Sequence, residues 1–89
     1  MTETTVTQGR IDNIIARAEL QDMKMGAKTT VVQAVLPNGF TITETSSCVD
    51  PENYDHEVGK NIAINRIKGR LWELEGYLLQ SKLNGENNT

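Results

Sequence analysis

Arg66 and Arg70 stand four residues apart on one face of a helical pattern, with Tyr77 further along the same stripe. Two guanidinium forks at that spacing suit an anion, and phosphate in particular, because each fork can donate two parallel hydrogen bonds. The surrounding composition sharpens this. Lys60, Arg66, Lys68 and Arg70 fall between Val58 and Trp72, a window with no Asp or Glu. Like charges four apart mildly destabilise an isolated helix, and an anionic partner would relieve that. The plainer reading is a solvated charged flank in which Glu73, within reach of Arg70, supplies the counter-charge. The sequence leaves both readings open.

Catalytic chemistry finds less to work with. His56, the one histidine, sits in the first turn of the long helical pattern, where a solvated or capping role is its commonest fate. Cys48 is the one cysteine, so no disulfide can form within the chain, and its neighbours offer no positive charge to make it a thiolate. It reads as a small buried apolar residue in a reducing cytosol. Asp50, Glu52, Asp55 and Glu57 are dense, but helix N-termini collect acids, and their spacing matches no calcium loop. There is no Cys/His zinc set and no Gly-rich phosphate loop. The expectation is a protein without catalytic residues, bound metal or cofactor.

The chain has 89 residues and a formal net charge of −3. An acidic balance argues against general nucleic-acid binding, which needs a basic surface. No 18-residue apolar run and no basic-then-apolar leader occurs, so neither a membrane span nor secretion is expected. A chain this short makes one domain with a small core, and association with further copies is the expected supplement. Residues 1–8 and 84–89 are expected to be flexible tails, and residues 9–83 a single helix-hairpin-helix domain.

The elements that must position the arginines follow from periodicity and turn chemistry. Thr7 can cap a first helix over Arg10 to about Gln21, with Ile11, Ile14, Ile15 and Ala18 on one face and Gly26 as its stop. Met23 and Met25 then read as flexible core fillers. Thr29 to Leu36 and Phe40 to Thr45 are rich in β-branched residues, and Pro37-Asn38-Gly39 joins them. Proline and asparagine suit the centre of a type I turn and glycine the left-handed residue after it. That register places Val32, Ala34, Leu36, Phe40 and Ile42 on one face of the hairpin, and Val31, Gln33, Val35, Thr41, Thr43 and Thr45 on the other.

Asp50-Pro51 opens a long helix reaching Leu83. Ala63, Ile64, Ile67, Leu71, Leu74 and Leu78 lie on one side of it; Val58, Ile62, Trp72, Leu79 and Leu83 form a second apolar stripe nearly opposite. Gly69 and Gly76, a heptad apart, sit near that stripe, either as tolerated weak points or as places where another backbone approaches. Such a helix has more to bury than a hairpin and one short helix can cover. The expected architecture is therefore α+β and oligomeric, with Val58, Ile62, Gly69, Trp72, Gly76 and Leu79 at the interface between copies.

Three blocks carry a family resemblance: Leu36-Pro37-Asn38-Gly39-Phe40, Cys48-Val49-Asp50-Pro51-Glu52-Asn53-Tyr54-Asp55, and Leu71-Trp72-Glu73-Leu74-Glu75-Gly76-Tyr77-Leu78-Leu79. Over roughly Thr29 to Leu79 the chain resembles small tailed-phage proteins of the gene-66 type. A looser similarity, the Asn-Gly-Phe turn followed by a helix bearing Arg-x-x-x-Arg, is to phage sponge proteins that inhibit Thoeris defence by sequestering cyclic ADP-ribose-type signals or cyclic oligonucleotides. That resemblance implies a homo-oligomer in the host cell cytoplasm, with Phe40 stacking on a base and Arg66 and Arg70 holding phosphate. The alternative is a phage accessory module that binds or inhibits a host protein.

Overall fold

The computed structural model describes residues 5–85 of the chain. A helix α1 (Gln8–Arg17) leads into three strands, β1 (Glu19–Met25), β2 (Thr29–Val35) and β3 (Thr41–Ser47), then a 3-10 turn (Pro51–Asn53) and a long helix α2 (His56–Asn84). The strands form one antiparallel sheet in the order β1-β2-β3. The fold is α+β, as the sequence pattern implies, with one strand more than the hairpin it predicts.

That extra strand corrects the first helix. Thr7 does cap it, its hydroxyl accepting the amide of Arg10, but the helix ends at Arg17, and Glu19 to Met25 pair with Val35 to Thr29. Gly26, at φ +70°, lies in the β1-β2 turn and not at a helix end. Met23 and Met25 are on the open side of the sheet, 54% and 56% exposed, and fill no core.

The second hairpin follows the sequence closely. Ala34 pairs with Ile42, the Leu36 amide donates to the Phe40 carbonyl, and Gly39 takes φ +91°. The turn is closed by Gly39 donating to the Leu36 carbonyl and by Asn38 Oδ1 accepting the Phe40 amide. Side chains alternate across a strand, so one face of β2 and β3 buries Thr30, Val32, Ala34, Ile42 and Ser46 while the other carries the half-buried Val31 and Val35 among exposed polar residues.

The Asp50-Pro51 step forms only the 3-10 turn, capped by Asp50, because Tyr54 is extended and breaks the helical path. Asp55 caps α2 proper, accepting the amides of Glu57 and Val58. From there α2 runs parallel to β2. Its contact ridge is Gly59, Ala63, Ile67 and Leu71, one residue per turn, packed with Ile11, Ile14, Val32, Ala34, Leu36 and Ile42 into the core. Val6, in the stretch read as tail, also packs on that core.

Gly59 sets how close the helix comes. A Cβ there would meet Thr30 Oγ1 at 2.4 Å, so only glycine lets the first turn of α2 lie directly on β2. Twenty-nine helical residues extend about 43 Å and seven strand residues about 23 Å, so α2 outruns the sheet. Beyond Leu71 no α2 residue is buried among those described. Leu74 and Leu78, expected on the core face, are each 39% exposed for that reason.

Candidate ligand-binding flank and interface seam

The arginines lie along β3, which is an edge strand. Leu36 paired with Phe40, and Cys48 donating to Lys28, fix which residues face β2; alternation then turns the backbone of Thr41, Thr43, Thr45 and Ser47 away from it. Arg66 Nη1 donates to the outward carbonyl of Thr45 at 2.6 Å. One turn later Arg70 reaches Glu44 at 3.4 Å, so Glu44, and not the neighbouring Glu73, supplies its counter-charge. Lys60 and Lys68 turn to the other flank and pair with Asp22 and Asp12. Of the four cations in the acid-free window, Arg66 alone faces no carboxylate among the described residues.

Phe40 stands at the rim, 49% exposed, in a groove of about 170 Å³ formed with Leu36, Asn38, Leu71, Leu74, Glu75 and Leu78. It is on the helix side of the hairpin as expected, but its ring is not part of the core. Neither arginine lines that groove. The three residues therefore follow one flank of the molecule without converging in one cavity of the single chain.

His56 is not a cap, and its imidazole, 33% exposed, is held at both ring nitrogens. With its proton on Nε2 it donates to Asp22 Oδ2 at 2.6 Å, while Nδ1 accepts the Tyr54 hydroxyl at 2.8 Å. Tyr54 in turn accepts the Thr30 hydroxyl at 2.7 Å. Lys60 reaches the second Asp22 oxygen, and the Lys24 ammonium lies 4.7 Å from the Tyr54 ring centroid. The hydrogen bond with His56, backed by Lys60, holds the Asp22 carboxyl below its ordinary range against partial desolvation.

An Asp-His-hydroxyl chain has the parts of a general-base relay. Here the hydroxyl is bonded on both sides, so the arrangement ties β1 and β2 to the start of α2. Sequence reasoning missed it because Asp22 and His56 are 34 positions apart and β1 was read as helix. The Cys48 thiol is half-buried and donates to the Asp50 carbonyl at 3.3 Å. No group of three or more potential metal ligands occurs among the described residues.

Most of the second apolar stripe of α2 is exposed among the described residues. Val58 is 54% exposed, Ile62 39%, Trp72 37% and Leu83 48%, and a Cβ on Gly69 or Gly76 would meet nothing within 4 Å. Leu79 is half-buried, lying with Thr5, Val6 and Arg10 at the helix overhang. No helix of the described residues is long and apolar enough to cross a membrane. No curated protein and no solved structure matches the chain. The description "Phage protein (N4 Gp49/phage Sf6 gene 66) family" matches residues 6–83, which takes in α1, the whole sheet and nearly all of α2, and the chain belongs to that phage protein family.

Proposed function

We propose that this phage protein is a non-catalytic binding protein of the host cell cytoplasm that sequesters a small phosphorylated signal of the cyclic-nucleotide type. The observation that carries the reading is Arg66, whose guanidinium meets a carbonyl and no carboxylate among the described residues, with Arg70 one turn away on a weak, half-exposed pair with Glu44. A phosphate there would meet two forks whose existing contacts are easily exchanged. Phe40 offers an exposed ring further along the same flank for a base.

Titration calorimetry of wild type and of Arg66→Ala/Arg70→Ala against cyclic ADP-ribose isomers and cyclic dinucleotides tests this. A charge-assisted contact contributes about 1.5 to 3 kcal/mol, so Arg66→Ala alone should weaken binding roughly ten- to a hundred-fold. Arg66→Lys should restore only part of it, because an ammonium lacks the planar fork. If no such ligand binds folded wild type below about 10 µM, the sequestering role is wrong. A second reading, a module that docks on a host protein, is favoured by the uncovered apolar stripe of α2, and pull-down by wild type but not by Trp72→Glu is its signature.

A further inference from the structure

The outward stripe of α2 is a heptad seam. Val58, Ile62, Asn65, Gly69, Trp72, Gly76, Leu79 and Leu83 follow one another at spacings of four and three in strict alternation, the repeat that keeps one side of a helix facing a partner helix. The inner ridge, at intervals of four, has no such repeat and is already filled by the sheet. We propose that α2 pairs with α2 of a second copy, antiparallel, about a two-fold axis beside Arg70 and Leu71.

Size complementarity selects the direction. In a parallel pair, equivalent positions meet: Trp72 would crowd the partner's Trp72 between two glycine layers that leave voids. In the antiparallel pair the seam matches itself throughout: Val58 with the partner's Leu83, Ile62 with the partner's Leu79, Asn65 with the partner's Gly76, and Trp72 with the partner's Gly69. Each indole then lies over a glycine with open space beside it. A two-fold contact uses the same patch twice, as this register requires.

Charge agrees with size. Antiparallel pairing brings the flank bearing Arg66 and Glu73 against its own copy, with Arg66 near the partner's Glu73 across the axis. Neither residue has an ion pair among the described residues of the single chain. The axis also sets the Arg66-Arg70 flanks of both copies along one side of the pair. This sets a second pair of guanidiniums beside the proposed ligand site, where a phosphate would displace the partner's Glu73 from Arg66; that consequence rests on the sequestering role, and the pairing itself does not.

Cysteine trapping tests the register. In a Cys48→Ser background, chains carrying Ile62→Cys are mixed with chains carrying Leu79→Cys and oxidised; Val58→Cys with Leu83→Cys is run beside them, both at well-exposed positions. The mixed pairs should cross-link at least tenfold faster than either variant with itself. Faster self-linking of Ile62→Cys and of Val58→Cys would mean a parallel seam and overturn the proposal. So would absence of any cross-link in variants whose circular dichroism matches wild type. The trapping needs no ligand, so its failure and a failed nucleotide titration are separate results.

Discussion

The two faces of α2 are made of similar material and meet different fates. On the inner face the ridge Gly59-Ala63-Ile67-Leu71 goes from no side chain through a methyl to two four-carbon side chains, and the sheet closes over all of them. On the outer face Val58, Ile62, Trp72 and Leu83 are as apolar, yet remain open to water in the single chain. Glycine shows the contrast best. Gly59 has Thr30 against it, whereas Gly69 and Gly76 face open space. The same residue type is thus a close contact already made on one side and, on the other, open space that the proposed second copy would fill.

Breaking the inner face should have the largest effect on the single chain. Ile67 is fully buried, so Ile67→Ala should cost about 2 to 5 kcal/mol, read as a lower urea midpoint at an unchanged slope. Gly59→Ala drives a methyl into Thr30; an overpacking cost of about 1 to 3 kcal/mol outweighs the roughly 1 kcal/mol that alanine gains in helix propensity. In a Thr30→Ala background, where the clashing oxygen is gone, that penalty should shrink, and additive effects would show that the clash is not its source.

On the outer face the sign reverses. Gly69→Ala has space beside it and should stabilise the single chain by up to about 1 kcal/mol while weakening association, because the methyl occupies the room proposed for the indole of a second copy. Thermal unfolding at low concentration and particle mass at high concentration separate the two effects.

The smallest effect is the one at acid pH. Asp22 has its folded pKa lowered, so its contribution is present above the ordinary carboxylate value of 3.8 and is lost as pH falls through the folded value. Below about pH 4, wild type should therefore lose stability relative to Asp22→Asn, which does not titrate there. Parallel pH profiles would mean that the link between Asp22 and His56 does not form.

The legible parts of this fold were those with local chemistry. Pro37-Asn38-Gly39 requires a left-handed glycine, Thr7 offers a capping hydroxyl, and the two apolar sides of α2 repeat over seven turns. β1 was hidden because it has no β-branched residue, and its Met25, seven residues after Ala18, falls where the helical face would continue. Pairing with β2 along its whole length overrides that weak preference. The link from Asp22 through His56 and Tyr54 to Thr30 depends on that pairing, so it was hidden with it. Arg66 and Arg70 were found from charge placement; their partners, Thr45 and Glu44, belong to a strand more than twenty residues earlier.

In the proposed pair the outer face of α2 meets the same face of a second copy. Light scattering coupled to size exclusion, on wild type and Trp72→Glu at tens of micromolar, tests it most directly. Wild type should run at twice the 9.9 kDa of the chain or an even multiple of it, and Trp72→Glu, with wild-type circular dichroism, should fall toward the mass of one chain. A wild type that stays at the mass of one chain would contradict the account.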